Sequence, residues 1–249
     1  MNIINNNFTF LAADTLRTKI YLFYLNKNNL LPEKIIYMKS ENKFLPGKFT
    51  KKINIKNKNF KDFNNKTYSL DGLEKFVNTK NFDEILERKI KIKYIQTNDV
   101  NSKNVLEQIK KLNKSVIIFS GFGGSIIGNK LLNTSNFFLH SHGGYLPSYK
   151  GSTTNYYSIL EKNFIAASTI FLNEKIDKGP ILDRQKFFKP KYVSEIDTII
   201  DSAIRSVVLV KSLKKLLGKK KIKLMKNTGI SKNYFIIHPI LKNFAIIKK

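Results

Sequence analysis

The stretch Ile90–Gly124, "IKIKYIQTNDVNSKNVLEQIKKLNKSVIIFSGFGG", decides the fold. Its opening, "IKIKYIQT", carries apolar residues at the spacing of a strand. "SKNVLEQIKKLNK" follows with helical spacing behind Ser102, a residue type that caps helix N-termini. "SVIIFSGFGG" is a second apolar run, and it ends in a glycine-rich turn. Strand, helix and strand in quick succession form a crossover unit, in which the two strands run parallel and the helix covers one face.

The same alternation extends both ways. Upstream, "FTFLAA" (Phe8–Ala13) reads as a strand. "DTLRTKIYLFYLNKNN" reads as a helix capped by Asp14, and "EKIIYMK" as a second buried strand. Residues 40–66 are rich in Lys and Asn and lose the period, which predicts a surface excursion. "SLDGLEKF" and "NFDEILERK" look like short helical pieces. Downstream come a short helix "SIIGNKLLN", a strand "NFFLHSH", a helix "TTNYYSILEK" and a strand "AASTIFLNE". The turn "KIDKGP" and a last strand "ILDRQKFF" follow. A long amphipathic helix is expected from Ser194 to about Leu217, stopped by Gly218. The pattern predicts an α/β chain: a Rossmann-like three-layer α/β/α domain with a mostly parallel sheet, spanning residues 1–217. A short C-terminal helix and tail complete it; residues 218–249 are the tail, expected to pack on or near the active-site crevice, where "NYFIIHPILKNFAIIKK" reads as a strand or cap.

Among the 249 residues, 42% are hydrophobic and 12% aromatic, so a packed core is expected rather than disorder. Cysteine is absent, which removes a thiolate nucleophile, a zinc–thiolate site and a disulfide framework. The N-terminus lacks a basic leader, and no apolar run approaches the roughly 20 residues of a membrane span. A cytoplasmic protein is expected. The net charge of +27 raises the question of a polyanionic partner. Arginine occurs only at Arg17, Arg88, Arg184 and Arg205, however, and specific phosphate recognition favours its bidentate fork. The abundance of Lys, Asn and Ile together reads as compositional bias. Nucleic acid is thus a possible partner but not the favoured one.

Three segments carry chemistry. "LHSHGGYLPSYKG" (Leu139–Gly151) holds two of the three histidines, His140 and His142, which a strand would project to one side. They could be half of a metal site, a catalytic pair, or polar residues near a turn. No tightly spaced further ligand supports a metal, so none is expected. "SGFGGS" (Ser120–Ser125) places backbone N–H groups between strand and helix, suited to an anion or a ligand amide, or serves as a tight turn. "IDKGPIL" sets Asp177 in a turn, where Asp usually closes its own backbone loop.

Read together, these segments resemble the folate-dependent formyltransferases, the family of glycinamide ribonucleotide, methionyl-tRNA and nucleotide-sugar N-formyltransferases. The family pattern is roughly Asn-x-His-Pro-x-x-Leu-Pro-x-Tyr-Arg-Gly, then Asp-x-Gly-Pro-Ile-Leu. Leu146-Pro147-x-Tyr149-x-Gly151 and Asp177-x-Gly179-Pro180 match it. The resemblance runs from about Phe8 to Leu217 and is specific between Val116 and Leu182. It implies the formyltransferase fold and the donor 10-formyltetrahydrofolate. His142 stands at the catalytic histidine and Asp177 at the catalytic aspartate. His140 replaces the catalytic Asn, Gly143 the usual Pro and Lys150 the usual Arg. By the same resemblance Gly123, Gly124, Ser125 and Ile126, with Leu172 and Ile176, would cradle the pterin. Ala13, Tyr149, Lys150 and Ser152 are candidates for the substrate side.

The implied reaction is attack of an amine on the formyl carbon, with a charged oxygen met by preplaced donors. A neutral His140 could replace the Asn amide as a donor only in the correct tautomer. Activity is expected to rise with pH as the less tightly held proton of the histidine pair leaves. The tRNA enzymes of the family add a β-barrel of roughly 100 residues. Here 67 residues follow Leu182, so a small-molecule amine, such as that of a nucleotide-linked amino sugar, is the expected partner.

Overall fold

The computed structural model describes residues 8–49, 52–54, 70–79, 86–189, 196–218 and 222–248. Its centre is β1 (Phe8–Ala13), buried at every position. β1 pairs in parallel with β2 (Lys34–Lys39) on one side and β4 (Val116–Ser120) on the other. β3 (Lys91–Gln96) extends the sheet beyond β2, and β5 (Phe137–His142) extends it beyond β4, again in parallel. β7 (Phe164–Phe171) and β8 (Ile181–Phe188) complete it as antiparallel strands, giving the order β3-β2-β1-β4-β5-β7-β8. The mostly parallel three-layer expectation holds.

Alternation along β1 explains the layers. Phe8, Phe10 and Ala12 face a core shared with α1 (Leu16–Lys27) and α6 (Asp201–Gly218), through Ile20, Leu22, Ile204 and Val208. Leu11 and Ala13 face a second core with Val105 and Ile109 of α3 (Lys103–Lys110) and Leu131 of α4 (Asn129–Leu132). A sheet apolar on both faces is what helices on both sides require. The chain steps from β1 outward to β3, then returns to place β4 on the opposite side of β1. Ligands in open α/β sheets bind at such a reversal, beyond the strands' C-terminal ends.

Several expectations shift in detail. The cap of α1 is Thr15, whose hydroxyl accepts from Thr18 N at 3.1 Å; the Asp14 carboxylate instead accepts from Tyr37 Oη at 3.2 Å. Ser102 occupies the cap position of α3 but makes no capping bond. The helical piece read in "SLDGLEKF" is α2, Leu73–Val77, which runs one residue past it, and Gly72 in the left-handed region precedes it. "NFDEILERK" and the surface excursion at 40–66 lie largely outside the described residues. The part of that excursion that is described is not a free loop: Lys48 bridges to Thr15, and Phe49 N donates to Asp14 O. Ser194 also lies outside the described residues, and a π-helical turn, Ile196–Ile200, leads into α6.

The tail runs back along the fold. Met225 pairs with Ile181 in both directions, and β9 (Lys232–Tyr234) pairs with the short strand β6 (Tyr149–Gly151). A final helix, α7 (Pro239–Ile247), packs beside α5 (Thr154–Lys162). His238 caps α7 by accepting from Ile240 N, which gives the third histidine a structural place.

Candidate active site

The end of β5 delivers both histidines to a crevice of about 550 Å³ beside the sheet reversal. Its walls include the turn Gly121–Ser125, residues 151–156, Asp177, Asp201 and Arg205. His142 is buried, and both ring nitrogens face acceptors. Nε2 lies 2.9 Å from Tyr149 O, and Nδ1 lies 3.4 Å from Asp177 Oδ1. Only the doubly protonated ring donates to both at once.

Asp177 is itself fixed from three directions. Its backbone is in the left-handed region (φ 54°), its Oδ2 accepts from Gly151 N at 2.8 Å, and its carbonyl accepts from Asn227 Nδ2 at 2.9 Å. The same Asn227 amide donates to Gly179 O at 2.8 Å. Gly151 has φ +95°, and a Cβ there would overlap Tyr234 O on β9. Only glycine permits the turn and the close pairing together.

His140 has a different environment. Its Nδ1 lies 3.3 Å from Phe119 O, which can only accept, so Nδ1 carries the proton and Nε2 keeps its lone pair. Burial, then Arg205 and Arg17, push its pKa down to about 3. His140 is thus neutral over the ordinary pH range, in the tautomer that presents an acceptor. One histidine of the pair was expected to stay neutral, and in this tautomer the neutral ring does not present the donor of an Asn amide at Nε2; its own proton step lies well below neutral pH.

The two arginines beneath the pair were not singled out in the sequence. Arg205 forms an ion pair with Asp201 at 2.6 Å and donates to Ser141 O between the histidines; Arg17 donates to Gly121 O at 2.7 Å. Arg184 donates to Leu146 O behind the turn. Three of the chain's four arginines thus brace backbone carbonyls around this site. Their scarcity in a lysine-rich chain was the available signal, since a guanidinium can serve several acceptors where an ammonium cannot hold a plane. The pair also explains Gly143: a Cβ there would overlap Asp201 and Arg205. A Pro ring has no room, so this departure from the family pattern is coupled to the ion pair.

Of the remaining candidates, Gly123, Gly124, Ser125 and Ser152 line the crevice. The N–H groups of Gly123 and Ser125 are already donating, to Pro46 O and Phe122 O, so the turn is less free for a ligand than its sequence suggests. Ile126, Leu172, Ile176, Ala13, Tyr149 and Lys150 are not among the lining residues. Ile126 and Ile176 have exposed side chains, and Leu172 packs against Leu146, Ile170 and Ile181. Ala13 is buried in the sheet core. Tyr149 turns its hydroxyl to Glu161 at 3.0 Å and reaches the site only through its carbonyl. The Lys150 residue is buried, which pushes its ammonium pKa down. Among the described residues no three His, Asp or Glu side chains gather as a metal site would need.

Residues 69–188 match the family model described as Formyl transferase. That region, just under half of the chain, contains the histidine segment and the Asp177 turn that carry the resemblance. Solved structures share the fold at low identity. A 4-N formyltransferase from Francisella tularensis is 18% identical, with a TM-score of 0.57, 98% of this chain covered and 87% of that one. An N-formyltransferase from Helicobacter canadensis, in complex with folinic acid and dTDP-3-aminofucose, is 15% identical at TM-score 0.56, covering 91% and 70%. The methionyl-tRNA formyltransferase from Clostridium thermocellum is 14% identical at TM-score 0.52, covering 94% and 74%. No curated protein sequence matches the chain.

Proposed function

We propose that this protein transfers a formyl group from 10-formyltetrahydrofolate to the amine of a small substrate, in particular a nucleotide-linked amino sugar. The observation that carries this reading is the His142–Asp177 pair, held in a crevice between Tyr149 O and Gly151 N. The Helicobacter canadensis relative, which carries both a folate and a dTDP-linked amino sugar, supports the choice of donor and acceptor. The 550 Å³ crevice is of the size that small-molecule sites use.

The donor fits the wall formed by Phe119, Phe122 and the Gly121–Ser125 turn, where Gly124 (φ +82°) leaves open space above the backbone. Bound there, it supplies an electrophilic formyl carbon. Ser152 lines the acceptor side. Asp177 keeps a proton on His142 Nδ1 and fixes the ring. The Nε2 proton, resting on Tyr149 O, is the one offered to oxygen as negative charge develops. His140 accepts at Nε2 and so is suited to the N–H of the incoming amine. Within the tail, Asn227 holds the Asp177 carbonyl, and β9 pairs with β6 beside Gly151. We place residues 1–217 and this tail in one catalytic unit.

The test is release of tetrahydrofolate from 10-formyltetrahydrofolate with a panel of nucleotide-linked amino sugars and simple amines. Turnover is expected with an amino sugar and is expected to fall roughly a hundredfold or more in His142→Ala. Equal turnover by His142→Ala would remove the assignment. Release at the same rate without any amine would identify a hydrolase instead.

A further inference from the structure

We propose that the face built by β9 and α7 docks the protein onto anionic lipid surfaces. Of the twelve large apolar side chains exposed among the described residues, seven fall between Ile230 and Ile247. Phe235 is 82% exposed, Ile236 78%, Phe244 54% and Ile247 69%. Helices of globular proteins turn an apolar stripe inward and a charged face to water. α7 buries only a narrow stripe, Ala245 and part of Ile246, and Lys242 pairs with Asp197 at its flank. Lys248 Nζ reaches inward to the carbonyls of Ile159 and Leu160, at 3.1 and 2.7 Å, and Lys242 Nζ lies 5.1 Å from the Tyr156 ring centroid. Ile240, Phe244 and Ile247, at spacings of four and three, point out.

This face is held firmly: Thr153 Oγ1 accepts from Ile237 N at 2.9 Å, and Tyr234 stacks on Tyr149 at 5.4 Å between ring centroids. Exposed aromatic and aliphatic side chains on a firm surface helix, with lysines around them, are the composition of an interfacial membrane contact. Lys226 is exposed on the strand side, Lys232 is exposed there and pairs with Glu161 at 3.7 Å, and Lys162 lies just beyond the carbonyls that Lys248 holds. The chain's +27 charge selects among occupants. A second copy would bring the same positive charge to the same face, whereas an anionic bilayer is attracted by it. Charge acquired through composition acts on its surroundings like any other. Because Ile236 also lines the crevice, docking would set the crevice near the lipid headgroups.

The experiment is co-sedimentation of the whole chain with phosphatidylcholine vesicles, with and without phosphatidylglycerol, beside sedimentation velocity of the protein alone. Binding is expected to the anionic vesicles only. The double variant Phe235→Ser/Phe244→Ser, which leaves charge unchanged, is expected to bind at least tenfold more weakly while retaining its circular dichroism spectrum and melting temperature. Equal binding by this variant would show lysine attraction without the apolar face and overturn the proposal. A stable dimer of the wild type that the variant breaks, with no vesicle binding, would assign the face to a second copy and also overturn it.

Discussion

At His140, a ring drawn partly out of water and flanked by Arg205 and Arg17 resists protonation down to about pH 3. Its ordinary value is near 6.5, so as pH falls the unfolded chain takes up this proton first. Stability from this group is complete above about pH 6.5 and is lost as pH drops toward about 3, with a slope of at most about 1.4 kcal/mol per pH unit. Urea unfolding at pH 6.5 and 5 should therefore show wild type losing up to ~2 kcal/mol more than His140→Asn. Equal losses would contradict the reading. The positions of both histidines were legible, because period-two geometry puts residues 140 and 142 on one side of a strand. The tautomer was not, since Phe119 O belongs to a neighbouring strand that spacing along the chain does not reveal. Nor was Asn227, which reaches Asp177 across 50 residues from a stretch without any motif.

Among elements, the junction of β6 and β9 is where sequence and packing constrain each other most. Gly151 needs its positive φ and its missing Cβ, and its N–H holds the Asp177 carboxylate. Gly151→Ala is expected to cost about 1–3 kcal/mol in backbone strain, with further loss from displacement of β9. It should reduce turnover beyond that loss, because Asp177 loses its anchor. A variant with wild-type stability and turnover would contradict this account. Gly143→Ala should destabilise by about 1–3 kcal/mol through overpacking against the Asp201–Arg205 pair, measured by the same urea titration. Strands, helices and the turn at Asp177 were readable from periodicity and turn chemistry. β6 and β9 were not, because three-residue strands carry too few residues to show a period. The helix α7 was hidden for another reason: its apolar residues face outward, so the pattern suggested a strand or cap. The His238-Pro239 pair at its start was the readable signal.

For the whole molecule, the strand–helix alternation sets the sheet, and the reversal at β1 and β4 sets the crevice. That much followed from the sequence because a sheet buried on both faces leaves a strong apolar signature. The arginine floor did not, because it joins β1's helix, β4, β5 and α6, four elements far apart along the chain. Among the described residues no helix is long and apolar enough to cross a membrane. The most direct test of the central claim supplies 10-formyltetrahydrofolate labelled with ¹³C in its formyl group, together with a dTDP-linked amino sugar, and follows the sugar by mass spectrometry. The account predicts a labelled formyl amide with wild-type protein, and a rate reduced roughly a hundredfold or more in both His142→Ala and Asp177→Asn. Labelled product formed equally fast by either variant would contradict it.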